Sequence, residues 1–310
     1  MRQIGTAPEL GEVSDPAPSD GLDLLETAAA AVNPIDIAVS AGRYFGGHPE
    51  VPYVPGAEAV VRDGQGRLLY VYGEGLGVRR DGAFAERVLH PADAAIPVPD
   101  GVDPVLATSI GTAGLAGWMP LAWRARVRDT DRVLVLGATG AVGNVAVQTA
   151  RLLRAARVVA VGRDEQALRR ATERGADAVV SLDEPDLAAA FREACGGDGP
   201  TLVHDALWGP PAAAAVKAAA AGARIVNLGQ SASPEATLAS GDVRGKQLEL
   251  LGYTNFAVPR DVLAAEYRAL CGHASAGEIQ VDTETLPLDG VAEAWERQAS
   301  SPHVKLVLVP

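Results

Sequence analysis

The sequence predicts an α/β protein organised around a doubly wound parallel sheet, with a second, β-rich domain beside it in the chain. Three observations predict this. Residues 132–163 read as strand, glycine-rich turn, helix and strand. The αβ rhythm then continues, and a glycine-alanine pair ends a helix at Gly175 and again at Gly222. The chain has 310 residues, beyond the ~250–300 at which a single core stops growing, so two domains are expected.

Residues 1–40 alternate short apolar stretches with Gly, Pro and Asp turns. Leu22–Val32 suits either an alanine-rich helix or a strand entering a core. Asn33-Pro34 breaks any helix there, Ile35–Val39 restarts a helical turn and Gly42 ends it. The irregular loop 43–55 follows, the kind of segment in which function tends to sit. Gly56–Val61, Leu68–Tyr72 and Phe84–His90 read as strands, and Asp103–Ile110 and Gly114–Trp123 as helices.

Val133–Leu136 has the length and β-branched content of a buried parallel strand. Gly137–Gly143 is the turn. The helix shows small or apolar residues at Val142, Val145, Ala146, Thr149, Ala150 and Leu153, and Val158–Val161 closes the unit. Later strands are expected at Ala178–Ser181, Thr201–His204, Arg224–Leu228 and Leu248–Leu251. Helices are expected at Ala167–Arg174 with Gly175 as C-cap, at Leu187–Cys195, and at Ala212–Ala221 capped by Gly222. The tail carries a helix at Val262–Cys271, a strand near Ile279, a helix at Gly290–Arg297 and a strand at Lys305–Val309. It is too short to fold alone and is expected to complete the first domain.

Strand, glycine turn, helix and strand make a dinucleotide-binding unit. A pyrophosphate is held by free backbone N–H groups at a helix N-terminus, where the helix dipole adds attraction. Gly140 lets the backbone approach the phosphates, and Gly143 lets helix and strand pack closely. Where such folds place an acid for the ribose 2′-hydroxyl, the chain has Gly162 followed by Arg163, a cation able to pair with a 2′-phosphate. NADP(H) is therefore expected over NAD(H), although Asp164-Glu165 adds negative charge nearby.

Composition narrows the field. Apolar content is 48% and charged content 21%, as in ordinary globular proteins. No apolar run reaches the length of a membrane span, and residues 1–15 lack a signal-peptide core, so a cytoplasmic protein is expected. The net charge of −12 argues against nucleic-acid and anionic-membrane partners. Cys195 and Cys271 fit a reducing compartment. The five histidines show no ligand spacing, so no metal is expected.

The chain resembles the medium-chain dehydrogenase/reductase superfamily, in its zinc-independent quinone oxidoreductase and enoyl reductase branch. The resemblance covers nearly the whole chain. It rests on Asn33-Pro34-Ile35-Asp36 with Gly42-Arg43-Tyr44, on Pro52–Glu58, on Asp81–Glu86, on Ala138–Gly143 with Gln148, and on Arg244-Gly245-Lys246. It implies a GroES-like partial β-barrel over 1–113 and 257–310, an inserted Rossmann domain over 114–256, and an active site in the cleft between them. Zinc members carry a histidine in the Gly-x-Glu motif and a cysteine in the early loop. Here the motif is Gly56-Ala57-Glu58 and the loop has no cysteine, so hydride transfer to an enone or quinone is favoured over alcohol oxidation.

The resemblance also implies site residues. Tyr44 matches a proton-donating tyrosine of enoyl reductases. It can protonate or hydrogen-bond an enone after hydride addition, or form an aromatic wall. Asn33 matches an asparagine facing the nicotinamide or substrate, and could equally fix its own loop. Asp36 is expected to cap the short helix. Thr112, in Gly111-Thr112-Ala113-Gly114, either touches the nicotinamide or caps a helix. His48 is expected to be solvated. The cofactor set is Thr112, Ala138, Thr139, Gly140, Ala141, Val142, Gly143, Gly162, Arg163 and Gly229. A homodimer through the edge strand near Leu248–Leu251 is expected. The competing readings are an enoyl-thioester reductase and a cofactor-binding protein with little turnover.

Overall fold

The computed structural model describes residues 1–17, 21–44 and 46–310. In chain order, β1 (Asp23–Ala31) leads to α1 (Pro34–Ser40), β2 (Glu58–Arg62), β3 (Leu68–Tyr72), β4 (Arg87–His90), β5 (Ile96–Pro97), α2 (Pro104–Ser109) and α3 (Thr112–Met119). Then follow β6 (Arg132–Leu136), α4 (Ala141–Leu152), β7 (Arg157–Gly162), α5 (Glu165–Glu173), β8 (Ala178–Ser181), α6 (Leu187–Cys195), β9 (Leu202–Asp205), α7 (Gly209–Ala218), β10 (Arg224–Asn227), α8 (Ser240–Gly245) and β11 (Glu249–Gly252). The remainder holds α9 (Arg260–Ser275), β12 (Thr283–Pro287), α10 (Val291–Ala299) and β13 (Lys305–Val309).

The chain divides into two compact units. Unit 1 comprises residues 1–113, 260–275 and 281–310, and unit 2 comprises 114–259 and 276–280. In unit 1, seven strands run in the order β12-β13-β1-β2-β3-β5, with β4 also paired to β1. The ladders are antiparallel except for β12 on β13. This is the GroES-like arrangement. Its core gathers Leu25, Val61, Val71, Phe84, Trp295 and Leu306.

Unit 2 is a six-stranded, wholly parallel sheet in the order β11-β10-β9-β6-β7-β8, a Rossmann sheet. Both faces are covered. Val133, Val135, Ala146 and Ala150 pack on one side, and Leu134, Leu136, Phe191 and Ala215 on the other. That two-sided burial is why β6 and β7 are continuous apolar runs.

Several sequence expectations need correction. Leu22–Val32, open between helix and strand in the sequence, holds a strand over Asp23–Ala31, with Ala29, Ala30 and Ala31 0–1% exposed. No strand forms near Ile279. That residue is 1% exposed and anchors 276–280 to unit 2, where Gln280 N donates to Gln148 Oε1 at 2.8 Å and Gln148 Nε2 donates to Gln280 O at 2.8 Å. The tail strand begins at Thr283 instead, so the tail does not belong wholly to unit 1. Helix α7 ends at Ala218 rather than Ala221. Gly222 is not its cap; with φ +70 it turns the chain back, its N–H donating to Lys246 O at 2.7 Å.

Candidate functional site

Unit 2 presents its chemistry at the C-terminal ends of its strands, where doubly wound sheets take ligands. The turn after β6 begins with Gly137 at φ +82, a conformation that suits glycine alone. Gly137 N and Ala138 N both donate to Val161 O, at 3.1 and 2.8 Å, which clamps the turn to β7. Gly143 is held by contact: a Cβ there would stand 2.2 Å from Gly137 O and 2.6 Å from Ala138 Cα. Gly140 differs. Its Cβ would meet nothing closer than 3.7 Å, and no side chain caps α4 at this N-cap residue. The first N–H groups of a helix have no intrahelical acceptor. The turn thus offers Gly140, Ala141, Val142 and Gly143 backbone beside space that a side chain would fill, which fits a pyrophosphate.

The rest of the expected cofactor set lies on the neighbouring strand ends. Gly162 is the last residue of β7, and Arg163 follows, exposed. Asp164 is committed to α5 as its N-cap, accepting from Ala167 N at 2.7 Å. Its carboxylate serves the helix. Gly229 follows β10, and a Cβ on it would stand 2.6 Å from Ala206 O. Asp205, buried at the end of β9, accepts from Leu207 N and Trp208 N at 2.9 Å and from Asn227 Nδ2 at 3.1 Å. It shapes the rim, and burial raises its carboxyl above the ordinary value.

Unit 1 organises its candidates around a buried ionic knot. Glu58 is wholly buried at the start of β2. It accepts from Asn33 Nδ2 at 2.6 Å, Tyr70 OH at 2.7 Å and Thr112 N at 2.6 Å. Lys305, 2% exposed, stands 3.7 Å from Glu58 and donates to Val32 O at 3.0 Å and to Asn33 Oδ1. Burial lowers the Lys305 ammonium and Glu58 opposes it. Gly111 makes room for the knot, since a Cβ on it would lie 2.3 Å from Glu58 Oε2.

Asn33 is 1% exposed. Its amide donates to Ala31 O and Glu58, and its carbonyl oxygen accepts from Lys305. Both ends are used inside the protein, the arrangement of the loop-fixing alternative. Asp36 reaches back to Asn33 N at 2.8 Å, as a residue in the first helical turn can, and also takes Ala57 N at 2.9 Å. Burial pushes its carboxyl up to about 7. Thr112 opens α3 with its N–H on the Glu58 carboxylate, and its Oγ1 is 3.3 Å from Tyr70 OH.

Tyr44 is half-buried in its loop, and Gly46 accommodates its ring: a Cβ there would lie 2.6 Å from Tyr44 Cε1. Burial raises its hydroxyl above the ordinary phenol value, and Arg79 pulls it back. His48 is exposed, its Nδ1 2.8 Å from Pro49 O. Sequence reasoning missed Tyr70 and Lys305 and took Glu58 only as a motif letter. The available signal was a charged residue heading an apolar run in each of two strands, EAVV and KLVLV.

Among the described residues no group of His, Cys, Asp and Glu could hold a metal ion, and both cysteines are buried and free. No helix among them is long and apolar enough to cross a membrane.

The family described as zinc-binding dehydrogenase matches residues 141–270. Quinone oxidoreductase of Rattus norvegicus is 24% identical over 295 residues, covering 92% of this chain and 87% of that protein. A crystal structure described as an NAD-dependent alcohol dehydrogenase superposes with TM-score 0.87 at 27% identity, covering 100% of this chain and 98% of that one. The quinone oxidoreductase of Escherichia coli complexed with NADPH shares the fold, with TM-score 0.85 at 21% identity over 99% of both chains. The chain belongs to the medium-chain dehydrogenase/reductase superfamily. Within this superfamily the curated relatives it matches are quinone oxidoreductases, and the matches support an oxidoreductase.

Proposed function

We propose that this medium-chain reductase is a zinc-independent, NADPH-dependent enzyme that reduces quinones or α,β-unsaturated carbonyls. The observation that carries the reading is the open N-terminus of α4 at Gly140, whose missing Cβ leaves the first-turn amides approachable. Backbone N–H groups of Ala141–Gly143 bind the pyrophosphate, Gly140 leaving the approach open while its own N–H goes to Gly137 O at 3.2 Å, and Gly229 bounds the same edge. Thr112 is assigned the nicotinamide contact, and Arg163 takes a 2′-phosphate. The bound cofactor supplies a hydride.

The chain's own residues handle position and protons. Glu58 and Lys305 fix Asn33 and the start of α3, so Asn33 acts as a positioning residue. Tyr44 gives its hydroxyl proton to the carbon left basic when an enone takes up hydride. Quinones need no dedicated acid. We place the enzyme in a reducing cytoplasm on its two buried free thiols. We also propose a homodimer through the open edge of β11, where Leu250 is 45% exposed.

The test is a screen of NADPH and NADH oxidation, followed by absorbance, across quinones, enones and enoyl thioesters with and without chelator. Chelator-resistant NADPH turnover with quinones or enones is expected. Turnover confined to thioesters, loss of activity with chelator, or no oxidation at all would replace this reading.

A further inference from the structure

The glycine-rich turn lies across the end of β7, pinned there by the two bonds to Val161 O, and this brings Thr139 over Gly162. A Cβ built on Gly162 would stand 2.3 Å from Thr139 Cγ2, 3.2 Å from its Oγ1 and 3.3 Å from its Cβ. Neither partner can easily step aside. Thr139 is β-branched, with few side-chain rotamers, in a turn fixed at Gly137 and Ala138. Gly162 pairs with Ser181 of β8 and accepts Leu182 N at 2.8 Å. Dinucleotide folds that grip a free ribose 2′-hydroxyl do so with Asp or Glu at this strand end, roughly 20 residues past the turn.

We infer that Thr139 is a specificity-determining residue: its side chain occupies the volume that any side chain at position 162 would need. The inference rests on the nucleotide-binding reading above and deepens it. An acid cannot stand at the ribose position while the turn keeps its form. The site is thereby left to a dinucleotide whose 2′ group needs no carboxylate partner, that is, a 2′-phosphorylated pyridine nucleotide, with Arg163 next along the chain. Selectivity is then set from inside the turn as well as by the cation on the surface.

The experiment measures NADPH and NADH affinities by calorimetry for the wild-type protein, Gly162→Asp, Thr139→Ala and the double variant. Gly162→Asp alone is expected to gain no affinity for NADH, because the aspartate enters only by displacing the turn. The double variant is expected to bind NADH about tenfold more tightly than Gly162→Asp, the worth of a charge-assisted hydrogen bond. An equal gain in the single and double variants overturns the inference, as does no gain in the double. A second readout is independent of any nucleotide. Gly162→Ala should lower the melting temperature of the wild-type background, and by less than half as much in Thr139→Ala. Equal losses in both backgrounds overturn the inference. If the wild-type protein binds neither nucleotide, the cofactor reading falls, and the melting-temperature pair alone judges the Thr139–Gly162 contact.

Discussion

Among the described residues each unit buries an ion pair, and the two are used differently. In unit 2, Arg224 Nη2 meets Asp131 Oδ1 and Oδ2 at 2.6 and 2.5 Å, and Asp131 also accepts Thr201 Oγ1 at 2.9 Å and Arg128 N at 2.7 Å. Asp131 precedes β6, Thr201 precedes β9 and Arg224 begins β10. The pair therefore staples the N-terminal ends of the strands, opposite the end that carries the glycine turn. In unit 1 the Glu58–Lys305 pair holds Asn33 and Thr112 themselves. On the proposed function, unit 2 would bind its nucleotide through main-chain amides, which regular structure positions unaided, so its ion pair can stay remote. The other unit must aim side chains, and it places its charges among them.

Breaking the knot in unit 1 is the strongest test of this contrast. Lys305→Met leaves Glu58 buried without its cation and should lower stability by about 3–5 kcal/mol in urea unfolding. A change below about 1 kcal/mol would show that the pair does not hold the unit together. Tyr44→Phe comes next. It should cut kcat for enones about a hundredfold while quinone turnover and NADPH affinity hold, checked by steady-state kinetics and calorimetry.

Two glycines in one turn separate packing from ligand access. Gly143→Ala forces a carbon against Gly137 O and should cost about 1–3 kcal/mol of stability. Gly140→Ala, at φ −87 and ψ 167, should change stability by less than about 0.5 kcal/mol, yet weaken NADPH binding about tenfold. Thermal unfolding and calorimetry on the same two proteins decide whether the two effects part.

A further test is a pair of pH dependences with opposite sign. Asp36 is raised from 3.8 to about 7, first by burial and in part by Glu58. It binds its proton more tightly when folded, so its contribution is full below pH ~4 and lost as pH rises through 7. His204 in unit 2 is lowered by burial from 6.5 to about 4, so its contribution is full above pH 6.5 and lost as pH falls through 4. Between pH 4 and 6.5, the stability difference between wild type and Asp36→Asn should shrink as pH rises, and that for His204→Gln should grow. Each slope is at most about 1.4 kcal/mol per pH unit. Parallel slopes in urea titrations would contradict the assignment.

How much was legible in the sequence follows the same divide. Unit 2 repeats one local rule, an apolar strand followed by a helix, so β6, α4 and β7 could be read within a residue or two. The glycine turn could be placed because its constraints are local. Where alanine served both periods, as in β1, burial from distant neighbours decided. Ile279 misled because an isolated buried apolar residue looks the same whether it pairs in a sheet or plugs a neighbouring core. The knot was hidden because Asn33, Glu58, Tyr70, Thr112 and Lys305 come from five separate segments, the nearest two 12 residues apart and the farthest two 272 apart.

Lys305 lies 272 residues beyond Asn33, and β13 joins β1 to β12. During synthesis every strand of the Rossmann sheet has left the ribosome before Lys305 is made, whereas the first unit must wait with an unneutralised glutamate at its centre. Unit 1 can thus seat its buried pair only after the whole of the Rossmann sheet has been made.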